Sequence, residues 1–161
     1  MNNTMQETSD TYTAILNALM ALHGSLNLPK LKEGLGKRHY LREICTFGYE
    51  GMRQTGCTLA NLKFLTSNPN AILIMTNKTC YEMTEQLILN SNTKYSELSK
   101  DLMERMHTAV EFSSLIDSGE VPDSVNVIMF DCNKHSMPRV TEKRYYKWLE
   151  SLDRDVITIL C

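Results

Sequence analysis

A run of glycine, threonine and cysteine offers the clearest chemistry in this sequence. Residues 51–58 read Gly-Met-Arg-Gln-Thr-Gly-Cys-Thr, which has the frame of a phosphate-binding loop, G-x-x-x-x-G-K-[ST], with Cys57 in the place of the lysine. In such a loop the glycines let backbone N–H groups at a helix N-terminus approach an anion closely. The residues predicted to contact phosphate are Gly51, Arg53, Gln54, Thr55, Gly56, Cys57 and Thr58.

Two oxygen-bearing side chains could complete a magnesium site beside that loop. The hydroxyl of Thr58 stands where a Mg²⁺ ligand belongs, and Asp131 ends the apolar run 125–130. An aspartate after a buried strand is typical of a Walker B element, whose carboxylate orders Mg²⁺, although it could also be a turn residue. If nucleotide binds, we expect Thr58 and Asp131 to hold Mg²⁺. In an active enzyme Asp131 would be the catalytic candidate.

The cysteine at position 57 decides how much of this chemistry remains. A lysine there neutralises phosphate charge, and a thiol cannot. One interpretation is a degenerate loop that keeps its shape, and the other is a reactive thiolate favoured by the helix N-terminus. A substitute cation could come from elsewhere in the chain, and the candidates are Arg53, Lys63, Lys78 and Lys134.

The elements around the loop follow the order that a phosphate site requires. Residues 43–48 predict a strand, leucines at helical spacing over 59–65 predict a helix, and Asn-Pro-Asn at 68–70 ends it. Further apolar runs predict strands at 71–76, 125–131 and 155–160, with helical patterns between most of them. This alternation predicts an α/β fold, a three-layer sandwich with a mostly parallel sheet.

The remaining segments predict an amino-terminal extension and further helices in the core. Residues 1–10 are predicted to be disordered, residues 11–24 to form an amphipathic helix and residues 25–36 to form a loop. The chain is therefore divided into an amino-terminal extension (1–40) and a core (41–161). Thr79 and Glu82 have the spacing of a capping box that starts a helix. Apolar spacing predicts a long helix over 98–109, whereas residues 108–116 fit a helix or a strand equally. The pattern of residues 141–152 predicts a helix with Tyr145, Leu149 and Leu152 facing inward.

Composition sets bounds on the class of protein. A chain of 161 residues with 42% hydrophobic and 22% charged residues is typical of one globular domain, and the net charge of -2 creates no global attraction for nucleic acid. A local basic stretch predicts either a solvated surface or a contact with a phosphate backbone, and it consists of Lys30, Lys32, Lys37, Arg38 and Arg42. Five cysteines without a C-x-x-C pair argue against a zinc site and a disulfide framework.

No apolar run in the sequence approaches the ~18 residues that span a membrane. The first ten residues are polar and lack the pattern of a signal peptide. We therefore expect a cytoplasmic protein without a membrane contact.

The loop resembles that of a known family. Arg53, Gln54, Gly56 and Thr58 match the R-Q-x-G-K-T loop of the large terminase ATPases that package phage DNA, which belong to the P-loop NTPase superfamily. The resemblance covers residues 42–90 well and 121–131 loosely, and helicases of the additional-strand P-loop class are similar but less specific. The sequence departs from the family at Cys57, and again at residue 132, where cysteine replaces the glutamate that serves as catalytic base.

The resemblance implies ATP and Mg²⁺ as cofactors, while both departures affect hydrolysis rather than fold. We therefore expect a degenerate P-loop NTPase-like protein, a phage or viral accessory protein in the host cytoplasm that binds a protein partner with little or no NTP hydrolysis. The alternative is a nucleotide-binding or slow ATPase module in DNA processing or packaging. A third hypothesis is a thiol enzyme that uses Cys57.

Overall fold

Five short parallel strands form the sheet at the centre of this structure, a computed structural model that describes residues 3–48, 56–90, 98–131 and 140–161. The strands are β1 (Thr46–Gly48), β2 (Ala71–Met75), β3 (Met106–Thr108), β4 (Val127–Phe130) and β5 (Ile157–Leu160). They lie in the order β1-β5-β4-β2-β3. Every neighbouring pair is parallel, so the carboxyl ends of all five strands meet at one edge, called here the carboxyl edge.

Eight helices surround this sheet in the described residues. They are α1 (Asn3–Ser25), α2 (Leu28–Leu35), α3 (Lys37–Glu43), α4 (Cys57–Ser67), α5 (Lys78–Leu89), α6 (Ser99–Glu104), α7 (Ala109–Ser118) and α8 (Glu142–Ser151). Within this part of the chain no helix is both long enough and apolar enough to cross a membrane.

Helices cover both faces of the sheet because side chains alternate along each strand. On β2, Ile72 and Ile74 join a core with residues of α2, α3, α7 and α8. Leu73 and Met75 join a second core with residues of α1, α4, α5 and α6. The predicted α/β class and parallel sheet are confirmed, and helices on both faces are compatible with the predicted three-layer sandwich.

The amino-terminal segment is more helical than predicted. Helix α1 starts at Asn3, so the prediction of disorder over 1–10 is wrong for the described residues, and the predicted loop 25–36 contains α2. Asn27 caps α2 by accepting a hydrogen bond from the Lys30 N–H (3.4 Å), and proline is tolerated in a first helical turn. Leu16 of α1 is fully buried in the second core, so the predicted extension contributes to the same domain interior.

Three other element boundaries differ from the prediction. The strand predicted over 43–48 is confined to β1, because α3 continues to Glu43. Helix α5 is capped by Asn77, whose side chain accepts from the Cys80 N–H (3.0 Å), so the predicted capping box at Thr79 is wrong. The predicted long helix over 98–109 is wrong, since it is divided into α6, β3 and the start of α7.

The open choice for residues 108–116 is resolved as a helix. Thr108 ends β3 and caps α7, because its hydroxyl accepts from the Glu111 N–H (3.2 Å) while the Glu111 carboxylate accepts from the Thr108 N–H (2.7 Å). The helix predicted over 141–152 is confirmed as α8, with Tyr145 and Leu149 buried and Leu152 half-buried.

Candidate functional site

The amino-terminal turn of α4 lies at the carboxyl edge of the sheet. Gly56 precedes the helix with φ +88°, a left-handed conformation that favours glycine. Because Gly56 has no side chain, it supplies no capping oxygen to the first N–H groups of α4. These N–H groups and the helix dipole attract anions.

A carboxylate meets this turn from the neighbouring part of the sheet. Asp131 follows β4, and its backbone N–H donates to the Ile74 carbonyl (2.9 Å) at the end of β2. Its side chain contacts α4 twice, since Asn61 Nδ2 donates to Asp131 Oδ1 (2.8 Å) and Thr58 hydrogen-bonds to the same carboxyl group. The structure therefore brings together the two residues predicted to hold magnesium.

The environment of Asp131 is unfavourable for an unneutralised charge. Burial raises the pKa of the Asp131 carboxyl group, and the hydrogen bonds from Asn61 and Thr58 act in the opposite direction. The residue retains some exposed surface, so the carboxyl group lies beneath the surface rather than deep in the core. A divalent cation at this position would stabilise the charged form.

The donor set fits magnesium bound with phosphate. Mg²⁺ prefers hydroxyl, carboxylate, phosphate and water oxygens, and is held by one or two protein ligands in phosphate sites. Thr58 and Asp131 supply two such oxygens within contact of each other. Within the described segments no group of three or more histidine, cysteine or acidic side chains could hold a metal by itself, so phosphate and water would complete the coordination.

A third polar group lies at the same edge. Thr76 follows β2, is 7% exposed, and its buried Oγ1 atom has no hydrogen-bond partner among the residues that the structure describes. Thr76 and Asp131 follow neighbouring strands, because Ile74 of β2 pairs with Phe130 of β4. A buried hydroxyl without a partner costs about 1 to 3 kcal/mol, which a bound ligand or water at this edge would relieve.

Part of the predicted site lies outside the described residues. Gly51, Arg53, Gln54 and Thr55 belong to that part, as do Cys132 and Lys134. The described part of the loop comprises Gly56, Cys57 and Thr58, with Cys57 half-exposed as the first residue of α4.

Two of the predicted substitute cations face other carboxylates. Lys63 pairs with Asp10 of α1, and its position six residues after Cys57 places it about 9 Å along α4 from the first turn. Lys78 is exposed and pairs with Glu82 on its own helix (3.7 Å). Neither contact directs an ammonium group toward the amino-terminal turn of α4.

Sequence reasoning missed Asn61. Its side chain is fully buried, and it connects α4 to the end of β4 through Asp131. The signal was a polar residue between Ala60 and Leu62, on a helix whose other residues from 59 to 65 are apolar except Lys63. A buried amide in such a position requires a hydrogen-bond partner, which in this structure is the Asp131 carboxyl group.

The basic stretch is largely engaged in contacts within the chain. Lys32 pairs with Asp155 (2.8 Å), Arg42 pairs with Glu142 (3.1 Å), and Lys37 donates to a main-chain carbonyl. The other two members, Lys30 and Arg38, are exposed. These contacts favour the interpretation of a surface segment, and nucleic-acid binding stays a prediction.

No protein-family model, curated protein or solved structure matches this chain.

Proposed function

We propose that this chain is a degenerate P-loop NTPase-like protein that holds a nucleoside triphosphate with Mg²⁺, turns it over little or not at all, and acts by binding a macromolecular partner. The observation that carries the proposal is the contact of Thr58 and Asn61, in the first turns of α4, with Asp131 at the end of β4. An accessory role in a phage or virus rests on the terminase resemblance of the loop.

The strand order supports this proposal. Strand β1 leads toward the loop and β4 ends at Asp131, and β5 lies between them. This order places Asp131 and the strand that leads to the loop at the same carboxyl edge, with one strand between them. Glycine at position 48 allows the paired strands β1 and β5 to approach closely at the carboxyl edge, since a Cβ atom there would lie 2.5 Å from the Leu160 carbonyl oxygen.

The side chains at this edge have distinct tasks in the proposal. The first N–H groups of α4 attract the phosphate oxygens. Thr58 and Asp131 would hold Mg²⁺, which neutralises phosphate charge when bound. Asn61 orients Asp131 by donating to its Oδ1 atom. Thr76, whose buried hydroxyl has no partner within the described part of the chain, would hydrogen-bond to a ligand or its water.

Weak hydrolysis follows from the two cysteines. Cys57 provides no cation for the β- and γ-phosphates, and Cys132 provides no carboxylate to activate water. These losses affect the transition state more than the bound state, because charge on the phosphates develops further there. Binding can therefore persist when turnover is lost.

Thermal unfolding with and without Mg-ATP and Mg-GTP tests the proposal. A ligand at ten times its Kd stabilises a protein by about 1.4 kcal/mol, which raises the Tm of a domain of this size by about 3 to 6 °C. Cys57→Lys should tighten nucleotide binding by about tenfold to a hundredfold, as expected for a hydrogen bond between charged groups. Lys63→Ala, on the same helix, is the matched control and should leave nucleotide affinity unchanged. If nucleotide shifts the Tm of neither the wild type nor Cys57→Lys, nucleotide binding is excluded.

A partner-binding role without nucleotide is the second candidate, and the paired loss at Cys57 and Cys132 favours it. In that case Asp131 and Asn61 would serve only to hold α4 on the sheet. Retention of partner binding by Asp131→Asn, together with no response to Mg-ATP, would support this second candidate over the first.

A further inference from the structure

Three of the four cysteines that the structure describes lie at the carboxyl edge of the sheet. Cys57 begins α4, Cys80 lies in the first turn of α5, and Cys161 follows β5. The fourth, Cys45, precedes β1 at the opposite edge and is buried. Cys57 and Cys161 are both half-exposed, so small molecules in solution can reach the two thiols.

Cys161 lies beside Asp131 in the sheet. Leu160 pairs with Phe130, and the Cys161 N–H donates to the Phe130 carbonyl (2.9 Å), so the register continues from this pair to Cys161 and Asp131. Neighbouring strands lie about 4.8 Å apart, and side chains alternate between the two faces. Cys161 packs against the second core, which contains residues of α4. The Cys161 thiol is therefore on the face of the sheet that α4 covers.

Cys57 lies on the side of α4 that meets this edge. It precedes Thr58, which hydrogen-bonds to Asp131, and it lies four residues before Asn61, which donates to the same carboxyl group. Residues four apart in a helix lie one above the other on the same side. The chain enters α4 from β1 and leaves it for β2, a path that directs the first turn toward β5. Cys57 and Cys161 thus each adjoin one member of the Thr58–Asp131 contact, the first along the helix and the second across the sheet.

We propose that Cys57 and Cys161 form a reversible disulfide when the protein meets a peroxide, and that this bond closes the anion-binding turn of α4. A disulfide requires Cα atoms within about 7 Å of each other, so the bond holds the first turn of α4 against the end of β5. The two sulfur atoms then occupy the space beside Thr58 and Asp131 where phosphate and Mg²⁺ would bind. The closure rests on the proposed function, whereas formation of the bond does not.

The reaction takes two steps and consumes one peroxide. The thiolate of Cys57 attacks one peroxide oxygen, the O–O bond breaks, and the products are a sulfenic acid and hydroxide, which takes the thiol proton to become water. The Cys161 sulfur then attacks the sulfenic sulfur, the S–S bond forms, and the S–O bond breaks to release a second water. Both sulfur atoms are oxidised and the peroxide is reduced. An accessible cysteine beside a second cysteine is the usual arrangement of a redox-sensitive pair.

Peptide mapping of the full chain without reductant, before and after hydrogen peroxide, tests the bond. The expected product joins the peptide of Cys57 to the peptide of Cys161 and disappears with dithiothreitol. Cys57→Ser and Cys161→Ser should each abolish it, while Cys80→Ser, the matched control at the same edge, should leave it. The wild-type map is decisive without any variant. The proposal is overturned if Cys57 stays reduced, stops at a sulfinic acid, or is joined to another cysteine or a second chain.

Calorimetry with Mg-ATP tests the closure separately. Oxidation should weaken binding by the wild type at least about tenfold, the loss expected for one hydrogen bond to a charged group, and dithiothreitol should restore it. Cys161→Ser should lose less affinity, because it cannot form the bond. An equal loss in Cys161→Ser, or none in the cross-linked wild type, overturns the closure. If the reduced wild type binds no Mg-ATP, the proposed function fails and the peptide map alone decides the disulfide.

Discussion

Replacing Asn61 with leucine isolates the contact on which the proposed site depends. The substitution keeps the number and branching of the side-chain heavy atoms and removes the amide that donates to Asp131 Oδ1 at 2.8 Å. Asn61 is fully buried, so water cannot replace the lost donor from the helix side. The carboxylate of Asp131 therefore loses a hydrogen bond in surroundings that already disfavour its charged form.

The expected loss of stability follows from the type of hydrogen bond. A hydrogen bond to a charged group contributes about 1.5 to 3 kcal/mol, and the added apolar surface of leucine offsets a small part of this. We expect Asn61→Leu to lower the free energy of unfolding by about 2 kcal/mol at pH 7. For a domain of this size the Tm should fall by about 4 to 8 °C.

The pH dependence of that loss distinguishes this contact from packing. The charged form of Asp131 benefits most from the amide, so the contribution of Asn61 is present above the pKa of Asp131 and is lost as pH falls through it. Since burial raises that pKa from the ordinary value, the cost of Asn61→Leu should decrease on going from pH 7 to pH 4. Urea denaturation at both pH values measures the cost directly.

Two results would refute this reasoning. One is an unfolding free energy of Asn61→Leu within about 0.5 kcal/mol of the wild type at pH 7, which is the ordinary range for surface substitutions. The other is a cost that stays the same at pH 4, which would indicate a packing role. Asn126→Leu provides the matched control, because Asn126 is exposed immediately before β4.

Three further predictions concern the surroundings of the site. Burial raises the pKa of Asp131, so the contribution of this residue to stability is greatest below the unfolded pKa and declines as pH rises through the folded pKa. Asp131→Asn should abolish this decline and match or exceed wild-type stability at pH 7. The same variant should lose Mg-ATP binding by calorimetry. Gly48→Ala should lower the free energy of unfolding in urea by about 1 to 3 kcal/mol, because its Cβ would meet the Leu160 carbonyl oxygen at 2.5 Å. Gly34→Ala, in open space on α2, should raise the free energy of unfolding by about 0.5 to 1 kcal/mol. Equal effects of the two substitutions would contradict the close approach at Gly48. Arg105→Met should cost about 2 to 3 kcal/mol, because its guanidinium donates to three main-chain carbonyls, and a loss below 0.5 kcal/mol in thermal unfolding would show that solvent replaces them.

The sequence was sufficient to predict the parts of the site that depend on local pattern. The strand–loop–helix order and the apolar strand before Asp131 are readable because each carries a strong periodicity or a turn signal. The parallel arrangement of the strands predicts that the loop and Asp131 lie at the same edge of the sheet. Thr58 and Asp131 were predicted in this way, and their contact is observed.

The rest depended on contacts between segments distant in the chain. Asn61 is recognisable as a site residue only once α4 lies against β4, seventy residues away. Strand β3 has three residues, too few to show an alternating pattern, and it exists because it pairs with β2. The Thr79–Glu82 spacing predicts a cap two residues too late, because the Asn77 side chain accepts from the Cys80 N–H.

Helix α4 is anchored at the end opposite the candidate site. Arg105 donates to the carbonyls of Leu65, Asn68 and Ala71, and so ties the last turn of α4 to the turn that follows and the start of β2. Lys63, in the middle of α4, pairs with Asp10 of α1. An anion that arrives at the amino-terminal turn would therefore meet a helix already fastened to α1 and to the start of β2.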